Sequence, residues 1–169
     1  MFCQEVFELI YILGHIYNML GVVLSLLPSL LIPAYSNDVQ LTKDFTLHDF
    51  NAGCNMPTPK DKYNNIKVLA QNLQIIKDTI NKPIRILSGY RSPKCNKKVR
   101  GAKHSQHMEG KAVDIRVTGM SARRLKRVIE KLIKRGKILQ GGVGLYRTHI
   151  HYDIRGTKSR WYKRYKRRK

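Results

Sequence analysis

Along the middle of the chain the spacing of apolar positions changes in a way that separates helices from strands. Between Tyr63 and Ile80, the residues Ile66, Leu69, Ala70, Leu73, Ile76 and Ile80 recur at helical spacing, which predicts an amphipathic helix with one apolar face. Pro83 interrupts that pattern. Ile84, Ile86 and Ser88, alternating with Arg85 and Leu87, then predict a short strand that runs into the loop SGYRSPKCN. Over Lys111 to Val117 the alternation is sharper: Val113, Ile115 and Val117 point one way, and Ala112, Asp114 and Arg116 the other.

Ser121 fits the N-cap of a second helix, which carries Leu125, Val128, Ile129, Leu132 and Ile133 and stops where Gly136 can take the left-handed conformation. The segments GGVGLY and HIHYDIR follow, separated by Arg147 and Thr148, and a tight hairpin is the economical reading. In its second strand Ile150, Tyr152 and Ile154 share one face, while His149, His151 and Asp153 share the other. Together these elements predict an α+β domain in which a small central antiparallel sheet carries helices on one face and a groove on the other.

The 169 residues have room for one compact domain with short extensions, and the 42% hydrophobic content supports an ordinary core. Three segments are expected: an apolar N-terminal segment over 1–36, the domain over 37–156, and a basic C-terminal tail over 157–169. Residues 1–40 contain no Lys or Arg, and from Met19 to Ala34 the chain is uncharged. As a helix that run reaches ~24 Å, short of a ~30 Å hydrocarbon core. Secretory signal, membrane anchor, packed extension and a start placed upstream of the true one all remain open for it.

Charge is the anomaly. A net charge of +22, with 33 basic against 11 acidic residues, implies an anionic partner such as nucleic acid, a bilayer surface or the polymers of a bacterial envelope. The stretch TKSRWYKRYKRRK from Thr157 interleaves three aromatics with its positive charges and would hold almost any polyanion. Cys3, Cys54 and Cys95 form no Cys-x-x-Cys spacing, so three free thiols are expected, with a Cys54–Cys95 bridge as the alternative that geometry alone decides.

Candidate chemistry gathers between residues 104 and 153. His107 lies in a polar, glycine-containing loop, Asp114 on the non-core face of the following strand, and His151 on the matching face of the hairpin. Three such ligands with a fourth position left for water make the pattern of a catalytic zinc site, since structural sites fill all four positions.

The segment Ser105-Gln-His107-Met-Glu-Gly110-Lys-Ala112-Val-Asp114 resembles the Ser-x-His-x-x-Gly-x-Ala-x-Asp signature of the zinc D-alanyl-D-alanine carboxypeptidases, metallopeptidase family fifteen. SGYRS at 88–92 resembles that family's arginine loop, and His149-Ile-His151 the His-x-His ending of some of its branches. The likeness runs from about Leu41 to Trp161 and is greatest to small phage-encoded cell-wall lytic members. It implies a hedgehog/D-Ala-D-Ala peptidase-like fold, one Zn2+ held by His107, Asp114 and His151, Arg91 on the substrate or the developing oxyanion, and Ser105 shaping the site. It also implies a peptidoglycan peptide as substrate and action at the bacterial envelope, periplasm or cell wall.

One position departs from the pattern. Where other branches carry a Glu or Asp general base three residues before the last ligand, this chain has Thr148. His149 is the favoured substitute and Asp153 the other, the latter equally suited to orienting an imidazole or pairing with Arg155. A domain of the same fold that has lost catalysis and binds nucleic acid or wall polymer is the competing expectation, and a membrane-active helper working through its N-terminal run is a third.

Overall fold

The computed structural model describes residues 38–163, so the apolar segment expected over 1–36 and the last six positions of the basic stretch lie outside the described residues. A two-stranded antiparallel pair opens the described part, β1 (Gln40–Thr42) with β2 (Phe45–Thr46). The helix read from the apolar spacing is α1 (Tyr63–Ile80). Its expected stripe of Ile66, Leu69, Ala70, Leu73 and Ile76 is fully buried. Asn81 ends it in the left-handed conformation with its N–H on the Lys77 carbonyl, a role that asparagine tolerates better than other residues with a Cβ.

Strands β3 (Ile84–Ser88), β4 (Ala112–Val117), β5 (Gly142–Leu145), β6 (Ile150–Asp153) and β7 (Ser159–Tyr162) form one sheet in the order β3-β4-β6-β5-β7. Each neighbouring pair is antiparallel except β5 with β7, which is parallel. The expected all-antiparallel sheet is therefore mixed at one edge. The segment from Thr157, expected as tail, enters the sheet there: the chain passes Gly156 and returns alongside β5, pairing Gly144 with Trp161.

Helix α3 (Ala122–Lys134) begins where expected, with the Ser121 hydroxyl accepting from the Arg124 N–H at 3.3 Å. It ends at Gly136, whose φ of +63° lets the Gly136 and Lys137 N–H groups reach the Ile133 and Leu132 carbonyls. Leu125, Ile129 and Leu132 pack with the α1 stripe against Val113, Ile115, Val143, Ile150 and Tyr152, so both long helices cover the same face of the sheet. Each such aliphatic group contributes roughly 1.5–3 kcal/mol by leaving water. Asn72 adds a polar tie through this core: its side-chain oxygen accepts from Leu139 N at 2.6 Å and from the Tyr152 hydroxyl at 3.2 Å.

Two further expectations change. The loop after β3 contains a short helix, α2 (Pro93–Lys98), started by Ser92 as N-cap and Pro93 at the first turn, where a missing N–H costs nothing. The Cys54 and Cys95 thiols are joined in a disulfide, with Cα atoms 6.1 Å apart, so the reading of three free thiols gives way to its alternative. The two cysteines are 41 residues apart in the chain, and only the fold brings them within bridging reach. Among the described residues no helix is long and apolar enough to cross a membrane.

Candidate metal centre

The antiparallel register of β4 and β6 sets Asp114 directly opposite His151 on the face away from the helices. His107 reaches the same point from the turn that precedes β4. Gly110 makes that turn possible, because it adopts a φ of +65° and a Cβ there would stand 3.2 Å from the Lys62 side chain and 3.3 Å from Ile66 on α1. Ala112, fully buried and paired with Asp153, keeps the next position small.

His107 Nε2 lies 3.2 Å from His151 Nδ1 and 3.5 Å from Asp114 Oδ1, and His151 Nδ1 lies 3.1 Å from the same oxygen. These separations match the ~3.3 Å edge of a tetrahedron built on metal–ligand bonds of ~2.0–2.1 Å. Hydrogen bonding fixes which way the lone pairs face. His107 Nδ1 is 2.7 Å from the Gly89 carbonyl, which can only accept, and His151 Nε2 is 3.0 Å from Asp153 Oδ2. With the outer nitrogens on those acceptors, the inner nitrogens of both rings converge with a carboxylate oxygen of Asp114, and the three groups can hold a metal ion or, in its absence, a shared proton.

Without a metal, the three groups answer one another's charge. Burial pushes the His107 imidazole below its ordinary value, with Asp114 only partly opposing. Burial works against a charged His151 too, but its hydrogen bonds with Asp114 and Asp153 prevail and raise it. At Asp114 burial favours the neutral acid, and the hydrogen bonds of His107 and His151 outweigh it, holding the carboxyl far below the usual carboxylate range.

Arg91 stands beside this group. Its Nη2 pairs with Asp114 Oδ2 at 2.5 Å and its Nε donates to the Ser88 hydroxyl at 2.9 Å, so it aims the other carboxylate oxygen at the histidines. The Arg91 N–H also donates to the His107 carbonyl at 3.1 Å, which zips the two site loops together. Asp153 sits on the opposite side of the His151 ring and has no solvent exposure. Its oxygens accept from His151, from Gly142 N at 2.8 Å and from Arg155 at 2.8 and 2.6 Å. Burial opposes its charge, yet the bonds from His151 and Arg155 keep it well below the usual range. Both Asp153 oxygens are thus engaged on the side of the His151 ring away from His107 and Asp114.

His149 is half-buried, stacked on the Tyr146 ring at 4.4 Å and 14°, with the Thr148 hydroxyl 3.4 Å from Nδ1. Burial lowers its pKa, and Asp114 only partly offsets that. A groove of about 560 Å3 runs past the three converging groups and is lined by Arg91, Ser105, Tyr146, His149 and Trp161 among others. His104 also lines it, whereas Glu109 pairs with Lys62 at 3.0 Å. From the sequence, Tyr146 carries no expected role and Trp161 only that of an aromatic in the basic stretch. The signal for Trp161 at the site is the pair of glycines at 142 and 144, which leave a strand bare for its ring to lie on.

The described residues thus form an α+β architecture with a His-Asp-His group, able to hold a metal ion, at the head of a polar groove. The family model described as Peptidase M15 matches residues 42–153, and the chain belongs to that peptidase family. It is similar to the probable peptidoglycan L,D-endopeptidase MepK of Haemophilus influenzae, with 37% identity over 89 residues. That match covers 48% of this chain and 45% of the relative, so the chain spans less than half the length of the curated relative it matches.

Proposed function

We propose that the protein is a zinc-dependent peptidase that hydrolyses stem or cross-bridge peptides of bacterial peptidoglycan, in the manner of a small phage-type lytic enzyme. The observation that carries this is the convergence of two inward-facing imidazole nitrogens and one carboxylate oxygen at tetrahedral-edge distances. A mixed imidazole and carboxylate set of three suits Zn2+ and leaves one position open. A bound zinc ion supplies Lewis acidity, which activates water and polarises a carbonyl.

The rest falls to the chain. His149, with Nδ1 beside the Thr148 hydroxyl, takes the proton from the attacking water at Nε2. Arg91, anchored through Nε and Nη2, turns the remainder of its guanidinium to the substrate carboxylate or the developing oxyanion. Ser105 shapes the groove wall. Asp153 and the Gly89 carbonyl hold the two imidazoles in the tautomers that the metal needs. The relative named as an L,D-endopeptidase supports a peptidoglycan peptide as substrate, with D,D- and L,D-bonds both within the proposal. The disulfide supports an oxidising compartment, the periplasm or the cell wall.

Mass spectrometry of muropeptides incubated with the purified protein tests the proposal. Cleavage that chelator abolishes and zinc restores is expected; cleavage that persists in a metal-free, folded His107→Ala protein would overturn it. A second reading, a domain of the same fold that binds nucleic acid or wall polymer without turnover, draws on Thr148 and on Arg100 and Lys163, basic residues that line the groove. It expects polymer binding that falls steeply with salt and is indifferent to chelator.

A further inference from the structure

The family match ends at Asp153, yet the sheet continues through β7, and β7 carries Trp161, the only tryptophan of the chain. Trp161 belongs to no part of the apolar core beneath the helices. It lies on the chemical face instead, where β5 offers glycines in place of side chains. A Cβ on Gly144 would stand 2.3 Å from the indole, and one on Gly142 would stand 3.1 Å from it and 2.3 Å from Asp153 Oδ2. The strand is a bed into which only a bare backbone admits the ring.

From that bed the indole touches both halves of the site. Its ring centroid is 5.0 Å from that of His151, and the Arg155 guanidinium lies 5.9 Å from it, so it covers the His151–Asp153–Arg155 chain of hydrogen bonds. Its Nε1–H donates to the Tyr146 hydroxyl at 3.4 Å, and the Tyr146 ring is the one on which His149 stacks. Shielding from water strengthens the bonds that orient His151, and the tether to Tyr146 holds the stacking platform of His149.

We propose that Trp161 is a positioning residue of the metal centre: delivered by β7, it braces the His151 ligand from behind and fixes, through Tyr146, the ring of His149. This rests on the metal-binding reading of His107, Asp114 and His151. Metal-stripped full-length protein titrated with Co2+, with tryptophan emission and metal content followed together, tests both. One equivalent of Co2+ is expected to quench the wild-type emission, an effect that His107→Ala removes.

Trp161→Ala is expected to weaken Co2+ binding by about 10-fold or more, the scale set by groups that orient metal ligands. Trp161→Phe recovers most of that affinity, because a ring again covers His151, but not the Nε1–H bond to Tyr146. Gly144→Ala evicts the indole while keeping the fluorophore, so it loses affinity and quenching together even if Trp161→Ala fails to fold. Stoichiometric Co2+ binding that leaves wild-type emission unchanged would overturn the positioning role alone. So would a folded Gly144→Ala or Trp161→Ala protein with wild-type affinity. Absence of any Co2+ binding by the wild type would overturn the metal reading with it.

Discussion

The two faces of the central sheet are made from the same strands and obey different rules. On the helix side, Val113, Ile115 and Ile150 are held by volume and burial alone, a fit that any shape-matched apolar set would satisfy. On the groove side, Asp114, His151 and Asp153 alternate with the core residues along the strands, and there direction matters: ring nitrogens and carboxylate oxygens are aimed at particular polar partners. Burial on the first face is favourable in itself. On the second it costs free energy that is offset only when the groups are mutually paired or hold a cation. The core face sets how long the fold survives, and the groove face what it does.

Exchanging that division of labour is the severest test. His107→Ala is expected to lower muropeptide cleavage by at least about 1000-fold, a barrier rise above ~4 kcal/mol, while the thermal midpoint of the metal-free protein stays within a few degrees of wild type. A collapse in stability equal to the loss in activity would show that the two faces are not separable.

The reciprocal change follows in size. Leu73→Ala or Ile129→Ala, both fully buried, should cost about 2–5 kcal/mol in denaturant unfolding, and below the transition should leave Co2+ affinity unchanged. Weaker metal binding in the folded mutant would mean that the core transmits strain to the groove.

The disulfide lies between these extremes, since it ties Cys54 to Cys95 in α2, the short helix that follows Arg91. Cys54→Ser with Cys95→Ser should cost about 3–4 kcal/mol from loop-closure entropy, read by urea unfolding, and the cleavage rate of the folded fraction should fall less than tenfold.

The smallest expected effect sharpens the comparison most. Asp153→Asn keeps the shape and leaves Arg155 with a neutral partner. It should weaken metal affinity by about 10- to 100-fold and slow cleavage to a similar degree, with metal dialysis and muropeptide kinetics as the readouts. Unchanged affinity would return Asp153 to the core side of the ledger of roles.

Much of this division was legible from period alone. The two-residue alternation over Ala112–Val117 and Ile150–Asp153 sorted the core residues from Asp114, His151 and Asp153, and the helical spacing over Tyr63–Ile80 identified the buried stripe of α1. The helix Pro93–Lys98 was missed although its start signal, Ser92 followed by Pro93, was present; six residues are too few to show an apolar period. β7 was read as tail because SRWY has no alternation and sits in a run of basic residues, so its parallel place beside β5 had no local signal.

The amino-acid order by itself determined which residue types stand on which face of each strand and helix, because side-chain direction repeats with the backbone and needs no partner to be known. It also marked Asp114 and His151 as candidate ligands by strand face, and His107 by its place in the signature segment from Ser105 to Asp114. Tertiary structure alone decided the rest: the Cys54–Cys95 pairing, the seating of His107 on the Gly89 carbonyl and of His151 on Asp153, and the bed of glycines that receives Trp161. Each depends on the distance between segments remote in the chain, a quantity that packing of the whole domain sets and no local pattern encodes.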